Sequence, residues 1–111
     1  MENQEKMKNE FIKKWVESAL TKTKNINFNA LSSYGLKHIC EDSIGVYVSN
    51  QKMIDTLKEL GFEMKIIKGT PNYLFNISSI IKRVVFKTKL GNQYNDTIRH
   101  FNTMKTETVE I

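Results

Sequence analysis

The sequence has one cysteine, Cys40, one proline, Pro71, and one tryptophan, Trp15, in 111 residues. A single cysteine cannot form an internal disulfide, so the reducing cytoplasm is the expected compartment. No apolar run approaches the roughly 20 residues that span a bilayer, and the first residues, Met1-Glu2-Asn3-Gln4-Glu5, are polar and acidic. Neither a transmembrane helix nor a secretory signal is expected, and no membrane partner. With five glycines, none clustered, no flexible linker divides the chain. A chain of this length builds one modest hydrophobic core.

Metal-binding residues are equally scarce. A zinc site needs about four closely spaced Cys, His or carboxylate ligands. The chain offers His38, Cys40 and a distant His100. On a helix, His38 and Cys40 project about 200° apart, which also defeats a Cys40–His38 nucleophilic pair and leaves a folded-back His100 as the alternative partner. Cys40 suits core packing and His38 the surface. Glu41 and Asp42 are adjacent and diverge, as on the solvated end of a helix. Gly61, Gly69 and Gly91 are isolated, so no phosphate-cradling loop occurs. These absences predict a non-enzyme without metal or cofactor.

Charge is present and unevenly placed. The formal net charge is +5, from 17 basic and 12 acidic residues. Residues 1–50 hold seven basic residues against six acidic ones. Residues 65–105 hold Lys65, Lys68, Lys82, Arg83, Lys87, Lys89, Arg99 and Lys105 against Asp96 alone. A basic half of this kind is the footprint that phosphate binding requires. It is also what a solvated surface looks like in a Lys- and Asn-rich chain.

Hydrophobic periodicity predicts a helix over 3–22. Met7, Phe11, Trp15 and Ala19 recur every four residues beside Ile12, Val16 and Leu20, and Trp15 is the expected core anchor. Glu10 and Lys14 are spaced to pair along it. Residues 21–29 read as an irregular connector. A second helix starts at Ser32 or Ser33, buries Leu36, Ile39 and Cys40, and ends between Asp42 and Gly45. Val46-Tyr47-Val48 reads as a short extended piece. A third helix is capped by Ser49 or Asn50, turns Met53, Ile54, Leu57 and Leu60 inward, and stops at Gly61, with Phe62 as the hydrophobe after the stop. The period then changes to two. Phe62, Met64 and Ile66, then Tyr73, Phe75 and Ile77, alternate around the turn cluster 68–72, predicting a β-hairpin. Residues 80–86 fit helix and strand equally, 90–104 have weak helical spacing, and 105–111 read as loose.

This order predicts an α+β fold of winged helix-turn-helix type, three helices packed on a small β-hairpin sheet with a C-terminal extension. Residues 1–78 form the winged-helix-like domain. Residues 79–111 form a basic extension, partly ordered and packed on the same domain. The segments SSYGLKH, GVYVSN, LGF and PNYLFNIS, between Ser32 and Ser78, resemble a family of short proteins from phages and mobile elements of low-GC Gram-positive bacteria. They also resemble the small winged-helix single-stranded-DNA-binding proteins of staphylococcal cassette elements. The resemblance covers less than half of the chain. It implies a nucleic-acid-binding role in replication or transfer of a mobile element, with a replication protein such as a helicase as a partner.

Three functions compete on the residues. A duplex-DNA regulator would insert its third helix into the major groove, presenting Gln51, Lys52, Asp55, Thr56, Lys58 and Glu59, where acids offset the lysines. A single-strand binder would combine cations with stacking rings. Its candidates are Lys52, Lys65, Lys68, Lys82, Arg83, Lys87, Lys89, Tyr47 and Tyr73, although the alternation at Tyr73 points to the core. A protein adaptor or inhibitor would set the basic half against an acidic protein surface. The single-strand reading is the leading expectation.

Overall fold

A computed structural model describes residues 2–86 and 106–109 of the chain. In chain order the elements are α1 (Glu2–Ala19), α2 (Ser33–Ile44), α3 (Asn50–Glu59), β1 (Met64–Ile66), β2 (Tyr73–Phe75), β3 (Arg83–Phe86) and β4 (Thr106–Val109). The fold is α+β, with three helices packed on a two-stranded antiparallel sheet.

Helix α1 buries Phe11, Ile12, Trp15, Val16 and Ala19, the stripe its periodicity predicts. Met7 departs from it and is 50% exposed. An every-fourth spacing advances about 40° per step on a helix of 3.6 residues per turn, so Met7, three steps from Ala19, has rotated about 120° off the core face. The helix also ends earlier than residue 22. Lys22 leaves it to form an antiparallel bridge with Ile77. On either side of that bridge Ser78 N–H donates to Thr21 O at 2.9 Å and Thr23 N–H to Asn76 O at 2.8 Å. The connector read as irregular is therefore pinned to the end of the hairpin. Buried Asn76 completes the joint, donating from Nδ2 to Thr23 O at 2.9 Å and accepting the Glu63 N–H at 2.8 Å.

Helix α2 buries Leu36, Ile39 and Cys40 and ends at Gly45, which takes φ 85°. Ser32 occupies the N-cap without a side-chain cap bond. The Ser33 hydroxyl is used elsewhere, accepting the Tyr73 N–H at 3.1 Å. Residues 46–48 form the turn between α2 and α3 rather than a strand. In α3 the Ser49 hydroxyl accepts the Lys52 N–H at 3.0 Å, the predicted cap. Its stop is a Schellman motif: Phe62 N–H donates to Leu57 O at 3.0 Å, Gly61 N–H donates to Lys58 O at 3.1 Å, and Gly61 takes φ 86°. Met53, Ile54 and Leu57 are buried. Leu60, expected in the core, is only half-buried, because it serves as the C-cap where the chain turns away from the helix axis.

The hairpin pairs Met64 with Phe75, Lys65 with Leu74 and Ile66 with Tyr73. Phe75 and Ile77 are buried, whereas Ile66 is exposed near the turn, where the sheet extends past the core. The turn is tied to α3, since Asn50 Nδ2 donates to Pro71 O at 3.2 Å and to Asn72 Oδ1 at 3.0 Å.

Within the ambiguous segment 80–86, residues 83–86 form strand β3, with Val84 and Phe86 buried and Phe86 against Phe11 at a ring-centroid separation of 5.2 Å. Ile81 joins the same core. β3 pairs in parallel with β4 from Arg83↔Thr106 to Phe86↔Val109, which corrects the expectation of a loose terminal segment at residues 106–109; residues 105, 110 and 111 lie outside the described residues. The short run Thr-Glu-Thr-Val has no strong apolar pattern, and its order comes from a backbone partner distant in sequence. The weak helical spacing over 90–104 lies outside the described residues.

Candidate functional site

The outward face of α3 is occupied by its own contacts. Gln51 Nε2 donates to Asp55 Oδ1 at 2.8 Å. Glu59 is held by Lys13 of α1 at 2.7 Å, a cross-helix pair. The hydrogen bond to Glu59 raises the Lys13 ammonium above its ordinary range. Thr56, expected to face outward, is buried and donates its hydroxyl proton to Lys52 O at 2.8 Å. Its short side chain folds back on the helix because that bond satisfies it without solvent. Lys52 is half-buried in the first turn.

The hairpin separates its candidates by the pleat. Lys65 is exposed on the face it shares with Leu74, and Tyr73 lies on the opposite face with Phe75. Tyr73 is half-buried against the core, as its alternation implied. Lys68 is exposed in the turn, at the end where the hairpin meets the start of α3. Lys82 lies at the other end of the domain, its N–H donating to Ala19 O at 3.0 Å. Arg83 follows on β3; both are half-buried. Lys87 and Lys89 lie outside the described residues, as do His100 and the remaining basic residues up to Lys105. Among the described residues, Lys65 and Lys68 thus lie on the hairpin, and Lys82 and Arg83 lie beyond its far end beside the end of α1.

Tyr47 is where the sequence left most open, and it is 65% exposed. Around it stands a cluster that sequence reasoning missed. Lys37, only 6% exposed, reaches between two rings. Its Nζ is 4.6 Å from the Tyr47 centroid and 5.7 Å from that of Tyr34. Glu41 Oε1 accepts from Lys37 Nζ at 2.7 Å and from Val48 N–H at 3.0 Å. Glu41 Oε2 lies 3.3 Å from His38 Nδ1, and the His38 ring meets Tyr34 edge-on at 4.5 Å. Lys8 of α1 stands 5.8 Å from the Tyr47 centroid. Glu41, expected on a solvated helix end, is instead the hub that joins α2 to the α2–α3 turn. The signal in the sequence was the i,i+4 spacing of Lys37 with Glu41 and of Tyr34 with His38. The burial of Lys37 had none.

Cys40 is fully buried. Burial pushes its thiol well above the ordinary range, and the neighbouring Glu41 charge adds to the shift. It is a core atom, separated from His38 as helix geometry required. Among the described residues no group of three or more His, Cys, Asp or Glu side chains could hold a metal ion, and no helix is long and apolar enough to cross a membrane. Compared with family models, with curated proteins and with solved structures, the chain matches none of them.

Proposed function

We propose that this chain is a cytoplasmic nucleic-acid-binding protein of the winged-helix type that binds single-stranded DNA during replication or transfer of a mobile genetic element. A replication protein such as a helicase is the partner this role implies. The order α1, Lys22 bridge, α2, α3, β1, β2 is the order of a winged helix and supports that assignment.

The observation that carries the reading is the contrast between α3 and the hairpin. A helix that reads a major groove needs free donors and acceptors on its outer face. Here Gln51 and Asp55 bond to each other and Glu59 engages Lys13, and the face carries as many acids, Asp55 and Glu59, as lysines, Lys52 and Lys58. The hairpin exposes Lys65 and Lys68, and Tyr47 stands out on the same small domain. Exposed cations and an exposed ring on one small domain suit an unpaired strand, which offers phosphates and base faces together.

Fluorescence anisotropy with labelled single- and double-stranded oligonucleotides at two salt concentrations tests this. The expected result is tighter single-strand binding that weakens steeply with salt. Replacing Lys65 and Lys68 by Ala should flatten the slope of log K against log salt by about 1.4, at about 0.7 per phosphate contact. Asp55→Ala is the control, and a strong gain in duplex binding would favour the major-groove reading. Absence of binding to any oligonucleotide at low salt would leave the adaptor or inhibitor role in its place.

A further inference from the structure

Two large rings stand on the surface of α2 and its following turn without being loose. Tyr34 is 52% exposed, more than most aromatic side chains in a small domain, and Tyr47 is more exposed still. Each is fixed from beneath. Lys37 supports both rings from the inside, Glu41 holds Lys37, and the same carboxylate anchors Val48, the residue after Tyr47. His38 braces the edge of Tyr34. The patch begins beside the hairpin, because Ser33, next to Tyr34, bonds to the Tyr73 backbone. It ends at Lys8, beyond Tyr47.

The chemistry of the patch selects its occupant. The space between the rings already holds an ammonium, that of Lys37, neutralised by Glu41, so the patch is closed to a cationic side chain. What remains accessible is aromatic surface with Lys8 at its margin. That suits a flat π-system joined to an anion. A base stacked on an aromatic ring with its phosphate near a lysine has this form.

We propose that Tyr34 and Tyr47 form a two-ring platform on which unpaired bases of single-stranded DNA stack. Lys8 takes a phosphate, and Lys37 and Glu41 act as positioning residues that hold the rings. The strand runs from the hairpin turn along α2 to α1. This inference rests on the nucleic-acid reading above.

The test is anisotropy with labelled oligothymidylate and oligoadenylate at low salt. Tyr34→Ala and Tyr47→Ala should each weaken binding about 5- to 160-fold, the loss of one stacked base at about 1–3 kcal/mol. Tyr47→Phe should bind like wild type, because the stacking face is kept. Lys8→Ala should flatten the salt slope by about 0.7. A bromodeoxyuridine oligonucleotide photocrosslinked to the wild-type protein, which needs no variant, should form its adduct at Tyr34 or Tyr47. If the wild type binds and both Ala variants bind equally well, the platform is wrong and the nucleic-acid reading stands. Adducts found only elsewhere overturn the platform in the same way. If Tyr47→Phe loses as much as Tyr47→Ala, the hydroxyl acts rather than the ring, and stacking is wrong. If the wild type binds no oligonucleotide, both readings fall together.

Discussion

Removing the Glu41 carboxylate should be among the most damaging single changes outside the apolar core. The Lys37 side chain is 8% exposed and that of Glu41 18%. In Glu41→Ala the Lys37 ammonium stays buried without its counter-charge, and the Val48 N–H loses its acceptor. Breaking a buried pair by deleting one partner costs about 3–5 kcal/mol. Glu41 keeps some solvent contact, which places the expected loss near the lower end, about 3 kcal/mol. That is a large share of the roughly 5–15 kcal/mol available to a domain. Unfolding entropy of about 2.1 cal/mol/K per residue gives about 4 °C of melting temperature per kcal/mol for 111 residues, so a drop of about 13 °C is expected. Urea titration followed by far-ultraviolet circular dichroism measures the free energy directly. Glu41→Gln keeps the shape and an acceptor oxygen and should fall between the two. Lys37→Met combined with Glu41→Gln removes both charges and should recover much of the loss, since an apolar replacement often equals a buried pair. A loss below about 1 kcal/mol in Glu41→Ala, the range of exposed pairs, would refute the burial argument and remove the basis for the fixed position of Tyr47.

Trp15→Ala should cost about 3–5 kcal/mol by urea titration, because Trp15 is fully buried at the centre of the core. Trp15→Phe should cost much less, since it also removes an indole N–H buried without a hydrogen-bond partner. Gly61→Ala should destabilise by about 1 kcal/mol or somewhat more. An added Cβ would meet only Lys22 Nζ, at 3.4 Å, so the cost is backbone strain at φ 86° rather than a clash. A melting temperature equal to wild type would defeat that account. Cys40 should resist thiol reagents in the folded state and react on unfolding in urea. Because the folded thiol titrates above the unfolded one, the unfolded state ionises first as pH rises past about 8.5. Stability should therefore be full below that pH and decline above it, and Cys40→Val should reduce the decline. Prompt labelling of the native protein would contradict the burial.

The local elements were written in the residues. Met53, Ile54 and Leu57 fix the inner face of α3 through spacing alone. Ser49 and Gly61 mark its ends because a hydroxyl cap and a positive φ are local requirements. Alternation around residues 68–72 specified the hairpin and set Phe75 and Ile77 inward. Fold class followed, because three such helices and a hairpin have few ways to cover their apolar faces. What depended on distant partners was not legible. Lys22 leaves α1 because Ile77 offers a backbone partner 55 residues later, and β4 is a strand because β3 lies beside it. The candidate site divides in the same way. Exposed cations such as Lys65 and Lys68 could be named from charge and turn chemistry. Whether Tyr47 escapes the core, and whether Lys37 enters it, is decided by how the α2–α3 turn packs across α1 and α2. A lysine is placed outside by its composition and can be drawn inside only where a carboxylate and aromatic faces converge on it, a meeting that tertiary structure alone arranges.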